Sequence, residues 1–364
     1  GAGRVGWADA ATVIPWQHYM AYADKSILED QYGSMKAWVD FMVSESENNL
    51  WNKGWHYGDW LFFSRDNDCN GISAVTYTPL IQQCFFAHSA SLVAKAAEVL
   101  GNTEDVAKYS KVAADARKAF CDNYLTPSGM LVSSTQTAYV LALNFDMLPE
   151  QMRPLAAKHL ADNVEKYGHI TTGFLGTPFI SHVLSSNGYN ELAYRLLLRQ
   201  DYPGWLYPVR MGATTIWERW NSMMPDRTIP DNGMNSFNHY SYGAVGDWLY
   251  RDAVGLYETS PGFKTMAVKP HPGADFTYMK AEQQTPYGKA AAHWQKADGV
   301  FNLEVTIPVN TTAEVYIPSG QGAEITVDGQ QMSAVPGLET GAWENGYQKV
   351  SVGSGTYKFS VALR

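Results

Sequence analysis

The chain is poor in cysteine, in basic charge and in long apolar runs, and each shortage removes a class of function. Its cysteines, Cys69, Cys84 and Cys121, are odd in number and lack CxxC spacing. No disulfide framework or zinc site can be written from them; Cys84 and Cys121 fall in helical patterns and read as packing residues. Lys and Arg total 27 against 36 Asp and Glu, a net charge of -9. Non-specific binding to nucleic acid or to an anionic membrane needs a basic face, so neither is an expected partner. No apolar run approaches the roughly 18 residues of a membrane span. Walker, HExxH and Rossmann patterns are missing too, since the GxG at Gly1-Ala2-Gly3 has no strand before it and no helix after it. The run Asp66-Asn67-Asp68 lacks the spacing of a calcium loop and reads as a surface turn. No metal and no cofactor are expected.

What is present is a globular composition rich in aromatic rings. The 364 residues suit one large and one smaller domain, and 45% hydrophobic against 17% charged residues is enough apolar surface for a sizeable core. Twelve Trp and 22 Tyr supply flat amphipathic faces of the kind that stack on sugar rings, although core packing uses the same residues.

From Asp9 to about Tyr257 the periodicity is helical, in hairpins punctuated by Gly, Asn and Pro. Helices are predicted near 9–22, 26–45, 75–100, 103–124, 134–145, 150–166, 174–187, 189–200 and 237–255. In TEDVAKYSKVAADARKAF, Thr103 is the expected N-cap, and Val106, Tyr109, Ala113, Ala116 and Phe120 share a face. Short connections at Gly101, Gly168 and Gly188 make successive helices antiparallel neighbours. After Pro261 the texture becomes period-two runs such as FNLEVTIPV and YKFSVALR, which predicts an antiparallel β-sandwich of about 100 residues. The expected domains are 1–260 and 261–364. Nine clear helices fall short of the twelve of a six-hairpin barrel. The segment 205–225 could hide short ones, but a hairpin before residue 1 is the simpler expectation, with Gly1-Ala2-Gly3 as a cut edge.

Loops carrying Gly, Trp and acids lie between the helices: GWADAATVIPW (6–16), WHYGDWL (55–61), HITTGFLGT (169–177), GATTIWERW (212–220) and SFNHYSYGAVGDWLY (236–250). In a helical barrel such loops gather at one end, where a pocket forms. Glu218, between Trp217 and Trp220, could hold a carboxylate beside a sugar stacked on indole; pairing with Arg219 or Arg210 is the plain alternative. Asp9 and Asp59 stand beside Trp7 and Trp60, and for both helix N-capping is the competing role. His239 suits a sugar hydroxyl or a structural bond, and His169 the latter. Thr171, Thr172 and Gly173 read as the cap of a helix starting at Phe174.

These five segments, in this order and at these separations, resemble the bacterial α-L-rhamnosidases of glycoside hydrolase family 78, from about Gly6 through Pro318; GATTIWERW followed by NHYSYGAVGDWLY is the most specific part. The resemblance implies a mainly α (α/α)6 barrel followed by a β-sandwich, and hydrolysis of terminal α-L-rhamnosides with inversion. Inversion calls for two carboxyl groups roughly 6.5–9.5 Å apart. Carried over, Glu218 is the general base; Trp7 and Trp60 line the rhamnose pocket; His239 contacts the sugar; Asp9 binds hydroxyls, although the family's run has one more residue between the Trp and this Asp. Asp59 and Trp217 complete the expected substrate-binding set.

The departure is at the general acid, a Glu four residues before Trp7 in the family and Gly3 here. A non-catalytic rhamnose-binding relative is therefore the second expectation. A lyase acting on an acidic glycan is a third, disfavoured because the loops carry few cations beyond Arg210, Arg219 and His239. The expected partner is a rhamnose-containing glycan, in a periplasmic or secreted setting if the full-length protein degrades external glycans.

Overall fold

The computed structural model describes residues 3–63, 74–230, 233–273 and 275–363. The Asp66-Asn67-Asp68 turn and Cys69 lie outside the described residues. The chain forms two compact units, residues 1–16 with 26–245, and residues 17–25 with 246–364.

The first unit is helical. Helix α1 (Ala10–Tyr22) begins in it and passes into the second unit at residue 17. Helices α2 (Ser26–Glu45), α3 (Thr78–Leu100), α4 (Thr103–Tyr124), α5 (Gln136–Asn144), α6 (Arg153–Tyr167), α7 (Thr177–Ser186) and α8 (Asn190–Leu198) follow in the predicted order. α3 is apolar nearly all round and correspondingly buried, from Leu80 and Ile81 to Ala96 and Ala97. It stops at Gly101, whose φ of 79° is left-handed, and Asn102 N–H returns to Ala97 O at 2.8 Å. α4 then packs back on α3 through Tyr109, Ala113, Ala116 and Phe120, while Lys111–Asp115 and Lys118–Asp122 pairs hold its wet face. Thr103 is the first residue of α4 and not its cap; that position is Asn102, which makes no side-chain cap bond. α5 with α6 and α7 with α8 repeat the hairpin.

Two predicted segments differ. Residues 205–225 contain one short helix, α9 (Leu206–Arg210). The helix expected over 237–255 is broken into a 3-10 turn (Ser241–Ala244), α10 (Val245–Trp248) and a π-helical turn (Leu249–Val254). Gly243 and Gly246 weaken helix propensity there, and His239 N–H is drawn into a bond with Ile216 O at 2.8 Å.

In the second unit two sheets face each other. One has the order β1 (Leu256–Glu258), β2 (Thr265–Val268), β6 (Thr312–Pro318), β10 (Tyr347–Val352), β9 (Glu339–Glu344). The other runs β3 (Tyr278–Thr285), β4 (Gly288–Ala297), β5 (Val300–Ile307), β11 (Gly355–Ala362), β7 (Ile325–Val327), β8 (Gln330–Gln331). Their inward residues, among them Trp294, Phe301, Leu303, Val315, Ile317, Val350 and Phe359, form one apolar core. Among the described residues all strand pairings are antiparallel except β2 with β6. Strand pairing starts with Leu256 opposite Val268, so Pro261 sits in the turn of the β1–β2 hairpin, past the 245/246 division of the units.

Candidate active site

In the first unit, the loops singled out in the sequence are fastened to one another, mostly through main-chain groups. Phe63 N–H donates to Thr171 O at 3.0 Å and Phe174 N–H to Trp60 O at 2.9 Å, so the loop around residue 60 lies along the loop around residue 173. Trp220 Nε1 donates to Thr172 O at 3.2 Å, which adds the segment of Glu218. Glu218 N–H donates to Ser236 O and His239 N–H to Ile216 O, both at 2.8 Å, which adds the last loop. Tyr242 Oη donates to Leu61 O at 2.9 Å, closing the circuit. The first loop joins through Val5 N–H, which donates to His56 Nδ1 at 3.0 Å.

Asp59 is the central fastener. Its carboxylate accepts from Thr137 Oγ1, from Gly173 N–H at 2.7 Å, from Leu175 N–H at 2.8 Å and from Gly176 N–H at 3.2 Å. Asp9 is used in the same way, accepting from Trp38 Nε1 at 2.8 Å, Ser89 Oγ at 2.6 Å and Gly6 N–H at 2.8 Å. Burial pushes both carboxyls above the usual carboxylate range, and the donors oppose that rise. Every oxygen of both carboxylates thus accepts from a donor of the protein itself. Helix capping by these side chains is not seen, because Asp9 reaches back to Gly6 and Asp59 crosses to another loop. The Thr171-Thr172-Gly173 cap is also corrected: α7 begins at Thr177, and Gly173 is needed for close approach, since a Cβ there would stand 2.3 Å from Trp60 O.

Glu218 is 8% exposed, and among the described residues nothing hydrogen-bonds its carboxylate. Neither arginine takes it: Arg219 Nε donates to Met234 O at 2.8 Å, and Arg210 pairs with Asp201 at 3.1 Å. Trp217 is 4% exposed and edge-on to Phe237 and Tyr207. It lines, with Trp205, Trp220, Val209 and Ile216, an apolar cavity of about 260 Å³. His239 stacks on Phe174 with centroids 5.1 Å apart, and its Nδ1 accepts weakly from Ser241 N–H at 3.4 Å.

Trp7 and Trp60 meet through a residue the sequence did not single out. Tyr57 packs on Trp7 at 4.7 Å and edge-on to Trp60 at 5.5 Å. His56, Tyr57, Phe174 and Tyr242 were all inside the quoted loops, but nothing in their spacing distinguishes a fastener from a filler. Gly3 lies against Trp38; a Cβ there would meet Ala8 Cβ at 2.6 Å and the Trp38 ring at 2.8 Å. Among the described residues no cluster of His, Cys, Asp and Glu could hold a metal ion.

Comparison with known proteins agrees with this architecture. Residues 1–253 match the model of the bacterial alpha-L-rhamnosidase 6 hairpin glycosidase domain, and residues 255–332 that of the bacterial alpha-L-rhamnosidase C-terminal domain. An alpha-L-rhamnosidase of Formosa agariphila is 39% identical over 98% of this chain and 38% of its own length. One of Streptomyces avermitilis is 37% identical over 99% of this chain and 33% of its own. This chain thus spans about a third of the length of those relatives. The crystal structure of the Streptomyces avermitilis alpha-L-rhamnosidase complexed with L-rhamnose superposes with a TM-score of 0.90 at 36% identity, covering 98% of this chain and 33% of that one. The native enzyme from Aspergillus terreus gives 0.86 at 33%, covering 98% and 39%.

Proposed function

The chain belongs to the bacterial α-L-rhamnosidase family, with its six-hairpin glycosidase domain and C-terminal domain, and from that premise we propose that it releases terminal α-L-rhamnose from glycosides with inversion, using Glu218 as general base. The observation that carries this reading is the Glu218 carboxylate, buried and without a hydrogen-bond partner among the described residues. A carboxylate that no protein group hydrogen-bonds keeps its lone pairs free to accept from a water, as deprotonating that water requires. In the proposed step Glu218 takes a proton from water as the water oxygen attacks the anomeric carbon. The bond to the leaving oxygen breaks on the opposite face, and that oxygen takes its proton from solvent, because the position that the resemblance assigns to the acid is Gly3. Trp7 and Trp60 offer the apolar wall that suits the methyl group of a 6-deoxy sugar, and His239 a ring nitrogen for a hydroxyl. Asp9 and Asp59 set the loops that present them.

In the full-length protein, Glu218→Gln should lower nitrophenol release from nitrophenyl α-L-rhamnoside by about 10²–10⁴-fold. Unchanged turnover overturns the assignment.

A second reading, a rhamnose-binding relative that does not cut, is favoured by Gly3. At the position where the family carries its acid there is no carboxyl group, and no room for a Cβ without displacing Ala8 or Trp38. Calorimetric binding of rhamnose to this chain, with no hydrolysis by the full-length protein, would support it; hydrolysis refutes it.

A further inference from the structure

Large aromatic side chains left in water call for an explanation, especially when they touch one another. Trp55 is 61% exposed, Tyr57 and Trp7 are each 39% exposed, and Trp60 is half-buried. They form a contiguous wall: Trp55 meets Tyr57 edge-on at 4.9 Å, and Tyr57 meets both Trp7 and Trp60. Exposure rises from Trp60 through Tyr57 to Trp55, so Trp55 is the outermost ring of the cluster. Trp55 is held in place, with the Arg4 guanidinium 5.2 Å over its ring and the next residue, His56, fastened to Val5.

Resting on the rhamnosidase reading, we infer that Trp55, with Tyr57 behind it, is a rim subsite that stacks the sugar to which the terminal rhamnose is attached. If one rhamnose fills the pocket walled by Trp7 and Trp60, whatever it is linked to must leave across the rim, and Trp55 is the aromatic face there. The ring angles favour a sugar over a flat aglycone. Tyr57 is inclined to Trp7, Trp60 and Trp55 by 54°, 68° and 75°, so the ring at the centre of the cluster is coplanar with none of its three neighbours. A planar polycycle needs parallel faces, whereas chair-shaped rings joined by a bent linkage can meet one inclined face after another.

The test compares an α-L-rhamnosyl disaccharide, methyl α-L-rhamnoside and an aryl α-L-rhamnoside as substrates of the full-length protein and its Trp55→Ala variant. The expected result is a loss of about tenfold in kcat/KM for the disaccharide relative to the methyl glycoside, carried by KM and largely restored in Trp55→Phe. An unchanged ratio overturns the inference. A greater loss for the aryl rhamnoside than for the disaccharide overturns the assignment of a sugar. Calorimetry with the same disaccharide separates this from the premise: if the protein cleaves nothing, the rhamnosidase reading fails, yet a tenfold weaker affinity in Trp55→Ala still supports the subsite and an equal affinity still overturns it.

Discussion

The Asp59 carboxylate accepts the Gly173 N–H at 2.7 Å across 114 residues of sequence, and a Cβ on Gly173 would come within 2.3 Å of Trp60 O. The acid and the glycine thus depend on each other. The hydrogen bond draws the two loops together, and the missing side chain lets them close.

Asp59→Ala should therefore leave the Thr137 hydroxyl and three buried N–H groups without an acceptor. Each buried donor left unsatisfied costs about 1–3 kcal/mol, with partial relaxation lowering the sum, so a loss of about 3 kcal/mol is expected in urea unfolding. Amide exchange at Gly173, Leu175 and Gly176 should accelerate ahead of the helices. A wild-type exchange pattern would contradict the role given to Asp59.

Gly173→Ala tests the same closure from the other side. The contacts are main-chain atoms, Trp60 O, Phe62 N and Asp59 O, which have no rotamer to move into. We expect destabilisation of about 3 kcal/mol, as for other overpacked sites at the high end, and loss of any rhamnoside turnover. Alanine at Gly212, where a Cβ meets nothing within 4 Å but φ is +94°, should cost only about 1 kcal/mol from the backbone.

Trp38→Phe removes the indole N–H from Asp9 while keeping most of the ring. A hydrogen bond to a charged group contributes about 1.5–3 kcal/mol, so the urea midpoint should fall by the equivalent of about 2 kcal/mol. Ser89 and Gly6 still hold the carboxylate, and for that reason the double variant with Ser89→Ala should lose more than the sum. Strict additivity would count against a shared site.

Acid should destabilise the helical unit through His88. Its ring is stacked on Phe145 at 4.0 Å, and burial, with Lys95 and Arg117 adding to it, pushes its pKa down from 6.5 to about 4. The unfolded chain therefore takes up a proton below 6.5 that the folded chain refuses until about 4. Stability is full above the unfolded value and is lost as pH falls. Linkage gives a loss of about 2 kcal/mol between pH 7 and pH 5. His88→Phe should flatten that part of the profile, and an unaltered slope would assign the acid loss to other groups.

Much of the fold was legible because periodicity reports burial directly. The alternation of Phe301, Leu303, Val305 and Ile307 marks a strand with one wet face, and Gly101 marks the end of α3. The broken helix after Ser241 was not legible, because its apolar spacing is helical, Gly243 and Gly246 only weaken that pattern, and the Ile216–His239 bond is long-range. Of the proposed site, Glu218 is picked out in the sequence by its place between Trp217 and Trp220. Asp9 and Asp59 carried the same local signal, an acid beside a tryptophan, yet serve as internal acceptors. The difference lies in donors 29 to 117 residues away, which no local pattern contains.

The circuit of loops is joined chiefly by peptide groups: Phe63 to Thr171, Phe174 to Trp60, Glu218 to Ser236 and His239 to Ile216. Peptide groups are common to every amino acid except for the N–H that proline lacks. Those four joints are indifferent to the side chains their residues carry; the joints made by Asp59, Trp220 and Tyr242 are not, and Trp55 and Tyr57 supply neither kind. A designer seeking a different glycoside preference has a scaffold in which taste and architecture are written in separate parts of the residue.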